Sequence, residues 1–379
     1  MRWWAEEIKM TDSDVESLLE AYRARKWTAR QVITAFLKKA VMMNQMTNFV
    51  TEFLSEGALK RADDLDAHLA STGILAGPLH GIPTSLAEHI PLAGRITHAG
   101  VVSRITQTPP AEDAHLVRLL RQAGAVVHLR TNVAQALVEL GCENNITGRT
   151  LNPRDLRLSP GGPCGGEGVS VGAGAAADKL RQAGARVVDW EPYDHQRGLD
   201  ILAPLCFPDG GQRYLDEFNE SGEPALPLTL HAFETAKRSG KISLSAHGIQ
   251  ALNHARDRYQ QEHDALMKER GVDFILSPAY VGAGALQGSA KYPHYTSIWN
   301  VLDLPSVVLP SGLGSDKNVD TRDESYNPRS EMDEAEWRAY DPGLFDGFPI
   351  ALQLAGKRSK DEEVLEAARV LDNAVKGVS

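Results

Sequence analysis

The sequence predicts an α/β fold, and two nearly identical stretches in its middle support that prediction. Residues 120–125 read Leu-Arg-Gln-Ala-Gly-Ala, and the same six residues recur at 180–185. In each stretch an amphipathic helix is expected to end at the glycine and a β-branched strand to follow, at 126–127 and at 186–188. Helices alternating with short apolar strands are typical of the α/β class. The flanking residues differ, so we interpret the two stretches as convergence on the same helix–strand motif rather than as a duplication.

The first 75 residues form a predicted helical region. Apolar residues recur there at helical spacing, and Thr11 or Ser13 is expected to cap the first helix. Three helices are predicted: 14–25, 29–42 and 57–70. The segment Gly-Pro-Leu-His-Gly-Ile-Pro at 77–83 is rich in turn formers and therefore cannot continue the helical pattern.

The second half of the chain returns to helices and short strands. A long helix is predicted over 243–270 and a last one over 361–375, and an acidic, polar loop covers 315–341. Three apolar, β-branched runs predict strands: 273–277, 306–310 and 349–354. No low-complexity linker separates these elements, so no clean domain boundary is predicted.

Composition and charge exclude several classes of function. The chain has 379 residues and a formal net charge of −10, without a long basic run. A nucleic-acid groove or an anionic membrane surface requires the opposite sign, so neither is an expected partner. No stretch of 18 apolar residues occurs, and the charged start does not resemble a signal peptide. Three well-separated cysteines, without a Cys-x-x-Cys pair, favour a reducing compartment and argue against a zinc cluster, so we expect a cytoplasmic protein. We expect neither a metal nor a cofactor.

The most informative stretch is a glycine-rich loop at 158–168, Leu-Ser-Pro-Gly-Gly-Pro-Cys-Gly-Gly-Glu-Gly. In such a loop several backbone amides can point towards one position, which favours binding of an oxyanion or close contact with another backbone segment. The loop resembles the glycine- and serine-rich signature of the amidase-signature family. The resemblance extends to the segment at 77–86, to 120–153, and to two later motifs, Asn-Val-Leu-Asp-Leu-Pro at 300–305 and Asp-Gly-Phe-Pro-Ile-Ala-Leu-Gln-Leu at 346–354. It is strongest towards fungal members.

This resemblance implies a single domain over residues 1–379, with a mixed β-sheet core flanked by helices. Its expected parts are an N-terminal helical region at 1–75, a signature-like core at 76–174 and a C-terminal α/β half at 175–379. After Gly168 the sequence runs almost directly into a helix that is found much later in the family. We therefore expect that part of the core is deleted.

The resemblance also implies a serine–cis-serine–lysine triad, whose three positions are lost here. The family's lysine, the base, would stand at Ala87, and the serine pair that holds the relay serine reads Pro163 and Cys164. The segment that carries the nucleophilic serine falls in the deletion. A serine hydroxyl is a poor nucleophile until a neighbour accepts its proton, so we expect no competent amide hydrolysis.

Other residues near these positions are candidates for different chemistry. Cys164 could act as a nucleophile because amides of a glycine loop lower a thiol pKa, and a small buried filler is the alternative. Glu88 and His89, which follow the lost lysine position, could serve in acid–base work or be structural. Further residues are expected to line a substrate pocket: Ala87, His98, Gly162, Pro163, Gly165 and Trp299.

Several functions remain open at this point. The first is a repurposed enzyme that binds a small acyl metabolite and promotes a cyclisation, isomerisation or dehydration in fungal secondary metabolism. The second is a non-catalytic pseudoenzyme that binds a ligand or a partner protein, and the third is an inactive product of a defective gene. Residual amidase activity is a further reading. The deletion would open a sheet edge, so a homodimer or a rearranged helix is expected to cover it.

A dinucleotide-binding fingerprint is the remaining alternative. Residues 172–177 read Gly-Ala-Gly-Ala-Ala-Ala, and a predicted helix and strand lead to Asp189. This is the order that such a fingerprint requires. The other interpretation is that small residues meet where two family segments join.

Overall fold

The computed structural model describes residues 5–153, 155–161, 186–238, 243–282 and 284–376. Helices and small sheets alternate along these ranges, which confirms the predicted α/β class. The chain divides into two compact units, the first comprising Met1–Leu137, Cys142–Leu156 and Glu217–Pro224, and the second comprising Val138–Gly141, Arg157–Asp216 and Ala225–Ser379. The single-domain organisation remains a prediction.

The first unit begins with four helices. They are α1 (Ala5–Asp12), α2 (Val15–Arg23), α3 (Ala29–Thr47) and α4 (Ser55–Thr72). The predicted cap of α2 is wrong, because Asp14 occupies that position and accepts a 2.7 Å hydrogen bond from the Ser17 amide. The Thr11 and Ser13 hydroxyls instead donate back to carbonyls of α1. Asp14 directly precedes the first helical residue, Val15, so its carboxylate reaches the free amides of the first turn.

The core of the first unit forms where α2, α3 and α4 bury their apolar faces. Tyr22, Ile33 and Leu65 are almost fully buried there. The Tyr22 hydroxyl donates a 3.0 Å hydrogen bond to the carbonyl of Gly81. Gly81 has a positive φ of 72°, and a Cβ at this position would lie 3.0 Å from the Tyr22 ring. The turn-rich segment at 77–83 therefore needs a glycine here for both conformation and space.

A three-stranded sheet positions the residues that follow the turn segment. Its strands are β1 (Val50–Phe53), β2 (Pro83–Ala87) and β3 (Val126–Thr131), in the order β1-β3-β2. Helix α5 (His115–Gln122) precedes β3, as predicted. Strand β2 runs parallel to β3, and Ala87 pairs with Thr131 at the carboxyl ends of both strands. This end of a parallel pair is where α/β proteins commonly place their ligands.

The second unit contains most of the remaining elements. Its helices are α6 (His195–Cys206), α8 (Pro227–Arg238), α9 (Ala246–Arg270), α10 (His294–Leu302), α11 (Glu331–Ala339) and α12 (Asp361–Lys376), while α7 (Gln212–Ser221) spans the division between units. The short strands β4 (Glu143–Asn144) and β5 (Gly148–Arg149) pair within the first unit. Within the described ranges, none of the helices has an apolar stretch long enough to cross a bilayer.

A second sheet organises the second unit. Strands β6 (Phe274–Pro278), β7 (Ser306–Gly314) and β8 (Pro349–Gly356) pair antiparallel in the order β6-β8-β7. Strand β8 is central and buried, which explains its continuous apolar run. Helices α6, α9 and α10 pack together beside the sheet through Ile201, Tyr259 and Ile298.

One predicted strand is absent. Residues 186–190 form no regular secondary structure, whereas a strand was expected at 186–188. A β-branched run becomes a strand only where a neighbour completes its hydrogen bonds, and β6 pairs with β8 alone among the described strands. The Arg186 guanidinium instead donates to the carbonyls of Arg270 and Gly271 at the end of α9. The strand needed by the dinucleotide fingerprint is therefore missing, and its glycines at 172 and 174 lie outside the described residues.

Candidate functional site

Ala87 ends strand β2 and marks the position where the resemblance places the catalytic lysine. Its side chain is half-buried, and its carbonyl accepts a 3.0 Å hydrogen bond from the Ile90 amide, which turns the chain away from the sheet. A methyl group can neither accept nor donate a proton. The backbone of this position is therefore in place without the group that would do chemistry there.

Glu88, the next residue, is buried and fully engaged. Its side chain accepts hydrogen bonds from the amides of His98 (2.8 Å) and Ala99 (2.9 Å) and forms a 3.1 Å ion pair with Arg130. Both charged side chains are almost inaccessible to solvent. These contacts favour the structural alternative for Glu88, because its carboxylate is buried and already accepts hydrogen bonds from two backbone amides and the Arg130 guanidinium.

Arg130 on β3 holds the loop between Glu88 and His98 from the other side. Its guanidinium donates to the carbonyls of Ile96 (2.8 Å) and Glu88, and it also lies 3.2 Å from the carboxylate of Glu52 on β1. One arginine thus links two strands and the loop that follows β2. The geometry around Ala87 is fixed by this network.

His98 lies against the Glu88 carboxylate, with Nδ1 3.4 Å from Oε2. Its Nδ1 accepts a 3.0 Å hydrogen bond from the Gly100 amide, so a neutral ring carries its proton on Nε2. Burial lowers the pKa of His98 more than the nearby Glu88 raises it. His98 is therefore a neutral imidazole near pH 7, and its role as a pocket residue stays a prediction.

His89 differs from its neighbour Glu88 in having unused hydrogen-bonding capacity. It is half-buried, and its Nδ1 is shielded from solvent without a hydrogen-bond partner among the described residues. Glu88 and His89 were both predicted for acid–base work. Among the described residues, the Glu88 carboxylate is occupied by hydrogen bonds, whereas Nδ1 of His89 has no hydrogen-bond partner.

The glycine loop is described only at its beginning. The Ser159 amide donates to the Ala285 carbonyl (2.8 Å), Leu158 pairs with Leu286, and Gly161 adopts a positive φ of 88°. These contacts fix where the loop starts within the second unit. The predicted site residues of this loop, Gly162, Pro163, Cys164 and Gly165, lie outside the described residues.

Asn132 and Asn144 belong to a buried amide network beside β3. The Asn144 side chain donates to Asn132 Oδ1 (2.8 Å) and to the Val133 carbonyl (2.7 Å), and it accepts from the amides of Ile146 and Thr147. All four hydrogen-bonding positions of the Asn144 amide are used. The Asn144 side chain therefore holds the turn at 145–147 against the segment that follows β3.

The second unit contains a cavity of about 1050 Å³. Strand β6, residues 186–190 and helices α10 and α12 contribute most of its wall, and His195 on α6 also lines it. Trp299, predicted to line a substrate pocket, lies in its wall. The Trp299 indole is held by Gln353, whose carbonyl oxygen accepts from Nε1 at 3.1 Å in the orientation that satisfies both amide atoms.

Polar rings cluster at one side of this cavity. His195 on α6, His294 on α10 and Trp190 line it, and His263 on α9 lies against the Trp190 ring with 5.5 Å between ring centroids. Burial lowers the pKa of all three histidines, that of His263 to about 4. In each of the four rings one buried nitrogen lacks a hydrogen-bond partner in the described part of the chain.

Sequence reasoning missed this cluster. Its members come from three separate stretches of the chain, Trp190 with His195, His263 and His294, so no local motif contains all of them. The only available signal was the presence of single histidines on the apolar faces of predicted helices, which is more often a property of ordinary core residues.

The sequence profile described as "Amidase" matches residues 31–178 and 175–365, which together are most of the chain. The chain belongs to the amidase family. This confirms the predicted resemblance.

Curated fungal relatives of this amidase-family chain align along nearly its whole length. The candidate amidase C550.07 of Schizosaccharomyces pombe is 30% identical over 483 aligned residues, covering 95% of this chain and 89% of the relative. An acetamidase of Emericella nidulans is 26% identical, with 97% and 91% covered. The predicted similarity to fungal members is confirmed.

A solved structure described as a fatty acid amide hydrolase has the same fold. It superposes with a TM-score of 0.92, covers 98% of this chain and 87% of the other, and is 24% identical in sequence. The predicted amidase-signature architecture is thus confirmed at the level of the fold.

The alignments also support the expected internal deletion. The alignment with the Schizosaccharomyces pombe relative spans 483 positions, which exceeds the 379 residues of this chain by 104. At least that many positions therefore have no counterpart here. The two matches to the family profile meet at residues 175–178, which is where the sequence predicts the join.

Proposed function

We propose that this member of the amidase family does not hydrolyse amides. The observation that carries the proposal is Ala87, which ends β2 at the position of the family's lysine in an otherwise ordered backbone. Hydrolysis by a serine needs a neighbouring base, and alanine supplies none. The proposal also draws on Pro163 and Cys164, which replace the serine pair of the signature.

The neighbours of Ala87 are poor substitutes for a lysine. The Glu88 carboxylate is occupied by two backbone amides and Arg130. His98 could accept a proton only on Nδ1, and this nitrogen already accepts a hydrogen bond from the Gly100 amide. His89 remains the one adjacent candidate for acid–base work, but a base without an activated hydroxyl does not give the acyl-enzyme route of the family.

The finer part of our proposal is a non-hydrolytic role in fungal secondary metabolism. A bound small acyl metabolite would be oriented for cyclisation, isomerisation or dehydration, with help from a proton donor or acceptor. The large cavity with neutral imidazoles in the second unit supports such a role, because a neutral imidazole can accept a proton on one ring nitrogen and donate a hydrogen bond from the other. The separated cysteines support a cytoplasmic setting.

A non-catalytic role with a protein partner is the second candidate. Strand β7 pairs only with β8 among the described strands, and Val308 on it is 44% exposed. An exposed strand edge with apolar side chains favours pairing with another chain. A homodimer through this edge is our proposal, and a strictly monomeric protein in sedimentation analysis would contradict it.

The decisive experiment compares amide hydrolysis with that of a competent relative. Purified protein and the Emericella nidulans acetamidase are assayed for ammonia release from acetamide and for aniline release from medium-chain anilides. We expect rates at least ~10⁴-fold below those of the acetamidase on its preferred substrate, as for enzymes that lose a catalytic unit. Appreciable hydrolysis that survives in a Cys164→Ala variant would overturn the proposal, because an unrecognised set of groups would then be active.

A further inference from the structure

The cavity of the second unit has the features of a ligand site, and we propose that it binds an apolar carboxylic acid through Trp190, His195 and His294. All three residues line the cavity. The site lies in the unit that does not contain Ala87. The proposal deepens the acyl-metabolite role proposed above, and because the cavity and Ala87 belong to different units of the chain, binding of the acid can be tested separately from the loss of hydrolysis.

The larger part of the cavity wall is apolar. Phe274 and Leu276 on β6, Ile298 on α10 and Val370 on α12 contribute to it, together with Trp299. The volume of about 1050 Å³ is at the upper end of the range found for small-molecule sites. Such a wall stabilises a hydrocarbon or aromatic group that leaves water.

The polar side of the cavity defines the chemistry of the other end of the ligand. An indole Nε1 is a donor only, so the unpartnered Trp190 nitrogen requires an acceptor atom. His195 Nε2 and His294 Nδ1 are likewise buried without a partner among the described residues, and a neutral imidazole can place its proton on either nitrogen. Two or three donors can thus meet the two oxygens of one carboxylate.

The charges around the cavity are compatible with an anion. Arg186 and Arg329 line the cavity, and the Arg270 guanidinium lies 5.0 Å from the centre of the Trp190 ring. Two aspartates, Asp189 and Asp273, also line the cavity, and Asp273 is paired with Lys357 at 2.7 Å. A carboxylate is therefore favoured over a cationic ligand, which would face the arginines and the donor-only indole.

Leaving buried polar atoms without partners destabilises a fold, and native structures rarely do so without a reason. Here four such nitrogens, those of Trp190, His195, His263 and His294, belong to rings that line or flank one cavity. Because these nitrogens are shielded from solvent as the rings now lie, the rings of Trp190, His195 and His294 must rotate when a ligand binds, so that a donor turns towards its oxygens. A ligand that supplies acceptor oxygens accounts for the three of these nitrogens whose rings line the cavity, those of Trp190, His195 and His294.

The test uses naphthalene-2-carboxylate as the probe and isothermal titration calorimetry as the measurement. The full-length protein is titrated with the acid and with naphthalen-2-ylmethanol, which keeps the apolar part and lacks the carboxylate. We expect saturable binding of the acid, at least tenfold tighter than that of the alcohol, because hydrogen bonds to a charged group are stronger than those to a neutral one. No binding of the acid, or equal binding of the two, would overturn the proposal.

Two variants locate the binding site. Trp190→Phe removes the indole N–H and keeps an aromatic ring, and we expect it to weaken binding of the acid roughly tenfold. Trp337→Phe is the matched control, since the Trp337 indole donates to the Asp323 carbonyl away from the cavity, and it should leave affinity unchanged. If Trp190→Phe is unstable by circular dichroism, Val370→Trp replaces it. Val370 lines the cavity but is 45% exposed, so a larger side chain there can fill part of the cavity without disturbing the core. Unchanged affinity in a folded variant of either kind would show that the acid binds elsewhere.

Discussion

Glu88 and Arg130 form a buried ion pair with 3.1 Å between their charged atoms, directly beyond Ala87. The pair joins the loop after β2 to the neighbouring strand β3, and the same carboxylate receives two backbone amides. The ordered backbone around Ala87, where the resemblance places the family's lysine, is therefore maintained by contacts that need no lysine.

We predict that Glu88→Gln destabilises the protein by about 2–4 kcal/mol, because it removes the buried carboxylate beside Arg130, which then keeps only the partly exposed Glu52 carboxylate at 3.2 Å as a charged partner. The glutamine amide would also turn an NH₂ group towards donors that the carboxylate now satisfies. Urea unfolding followed by circular dichroism measures the change. Asp64→Asn, in the exposed pair with Lys60, is the control and should change stability by less than about 0.5 kcal/mol. A Glu88→Gln effect as small as that of the control would show that the buried pair contributes little.

We predict that Ala87→Lys does not restore hydrolysis. The variant supplies a base at the end of β2, but the serine pair is absent from the signature loop and a nucleophile segment is not found in the sequence. A base without an attacking hydroxyl gives no acyl-enzyme. Ammonia release from acetamide should stay within about twofold of the unmodified protein, far below the roughly 10⁶-fold effect of a complete catalytic unit. A large gain in rate would mean that another hydroxyl lies close to residue 87.

A third prediction concerns stability at acidic pH. Burial lowers the pKa of His263 to about 4, and the neighbouring His195 lowers it further while Asp264 opposes this. Between pH 6.5 and pH 4 the unfolded chain therefore binds a proton that the folded chain does not, so stability decreases as the pH falls. The loss from this residue should be roughly 3 kcal/mol over that interval.

The pH dependence can be assigned to His263 by substitution. His263→Phe keeps a buried aromatic ring and removes the titratable group, so unfolding free energies of the variant should fall less steeply between pH 6.5 and pH 4.5. His247→Gln, at the exposed start of the same helix, is the control and should retain the slope of the unmodified protein. Identical slopes for His263→Phe and the unmodified protein would place the acid sensitivity in other residues.

Much of the fold could be predicted because it follows from local periodicity. The predicted helices over 29–42 and 57–70 are found as Ala29–Thr47 and Ser55–Thr72, and the strand at 349–354 is found as Pro349–Gly356. The capping error at Thr11 and Ser13 was a choice between adjacent polar residues, which only the observed bond to Asp14 resolves. Whether a segment is a helix or a strand follows from its sequence pattern, whereas the residues at which it begins and ends depend on single hydrogen bonds.

What the sequence failed to predict depends on partners distant along the chain. The β-branched run at 186–188 matches a strand locally, yet it forms none since no strand pairs with it in the described part of the chain. The structural role of Glu88 depends on Arg130, which is 42 residues away. The ring cluster around Trp190 is equally non-local. Ala87 and Trp299 could be predicted as site residues only from the family resemblance, because the fold of the relatives indicates which residues distant in sequence lie near the site.

A fourth prediction tests the amide network of the first unit. Asn144→Asp replaces two donated hydrogen bonds, to Asn132 Oδ1 and the Val133 carbonyl, by contacts between a carboxylate and two acceptor oxygens. Because the site is buried, we expect a destabilisation of about 2–4 kcal/mol. Asn318→Asp makes the same chemical change at an exposed position and should have little effect. Thermal unfolding of the two variants side by side measures the difference, and equal midpoints would contradict a structural role for Asn144.

The packing of helix α6 gives the last prediction. A Cβ at Gly198 would lie 2.9 Å from the Tyr259 ring and 3.1 Å from Ile298, which are buried in the core of the second unit. Gly198→Ala should therefore destabilise the protein by about 1–3 kcal/mol, since the overpacked side chains must shift. Gly248 provides the opposite case on α9, where an added Cβ would lie no closer than 3.5 Å to its neighbours. Gly248→Ala should be neutral or stabilising by up to about 1 kcal/mol, because alanine loses less backbone entropy in a helix. Urea midpoints that move in opposite directions would establish that close helix packing fixes the glycine at 198, whereas a stabilising Gly198→Ala would show that α6 can move away from Tyr259 at little cost.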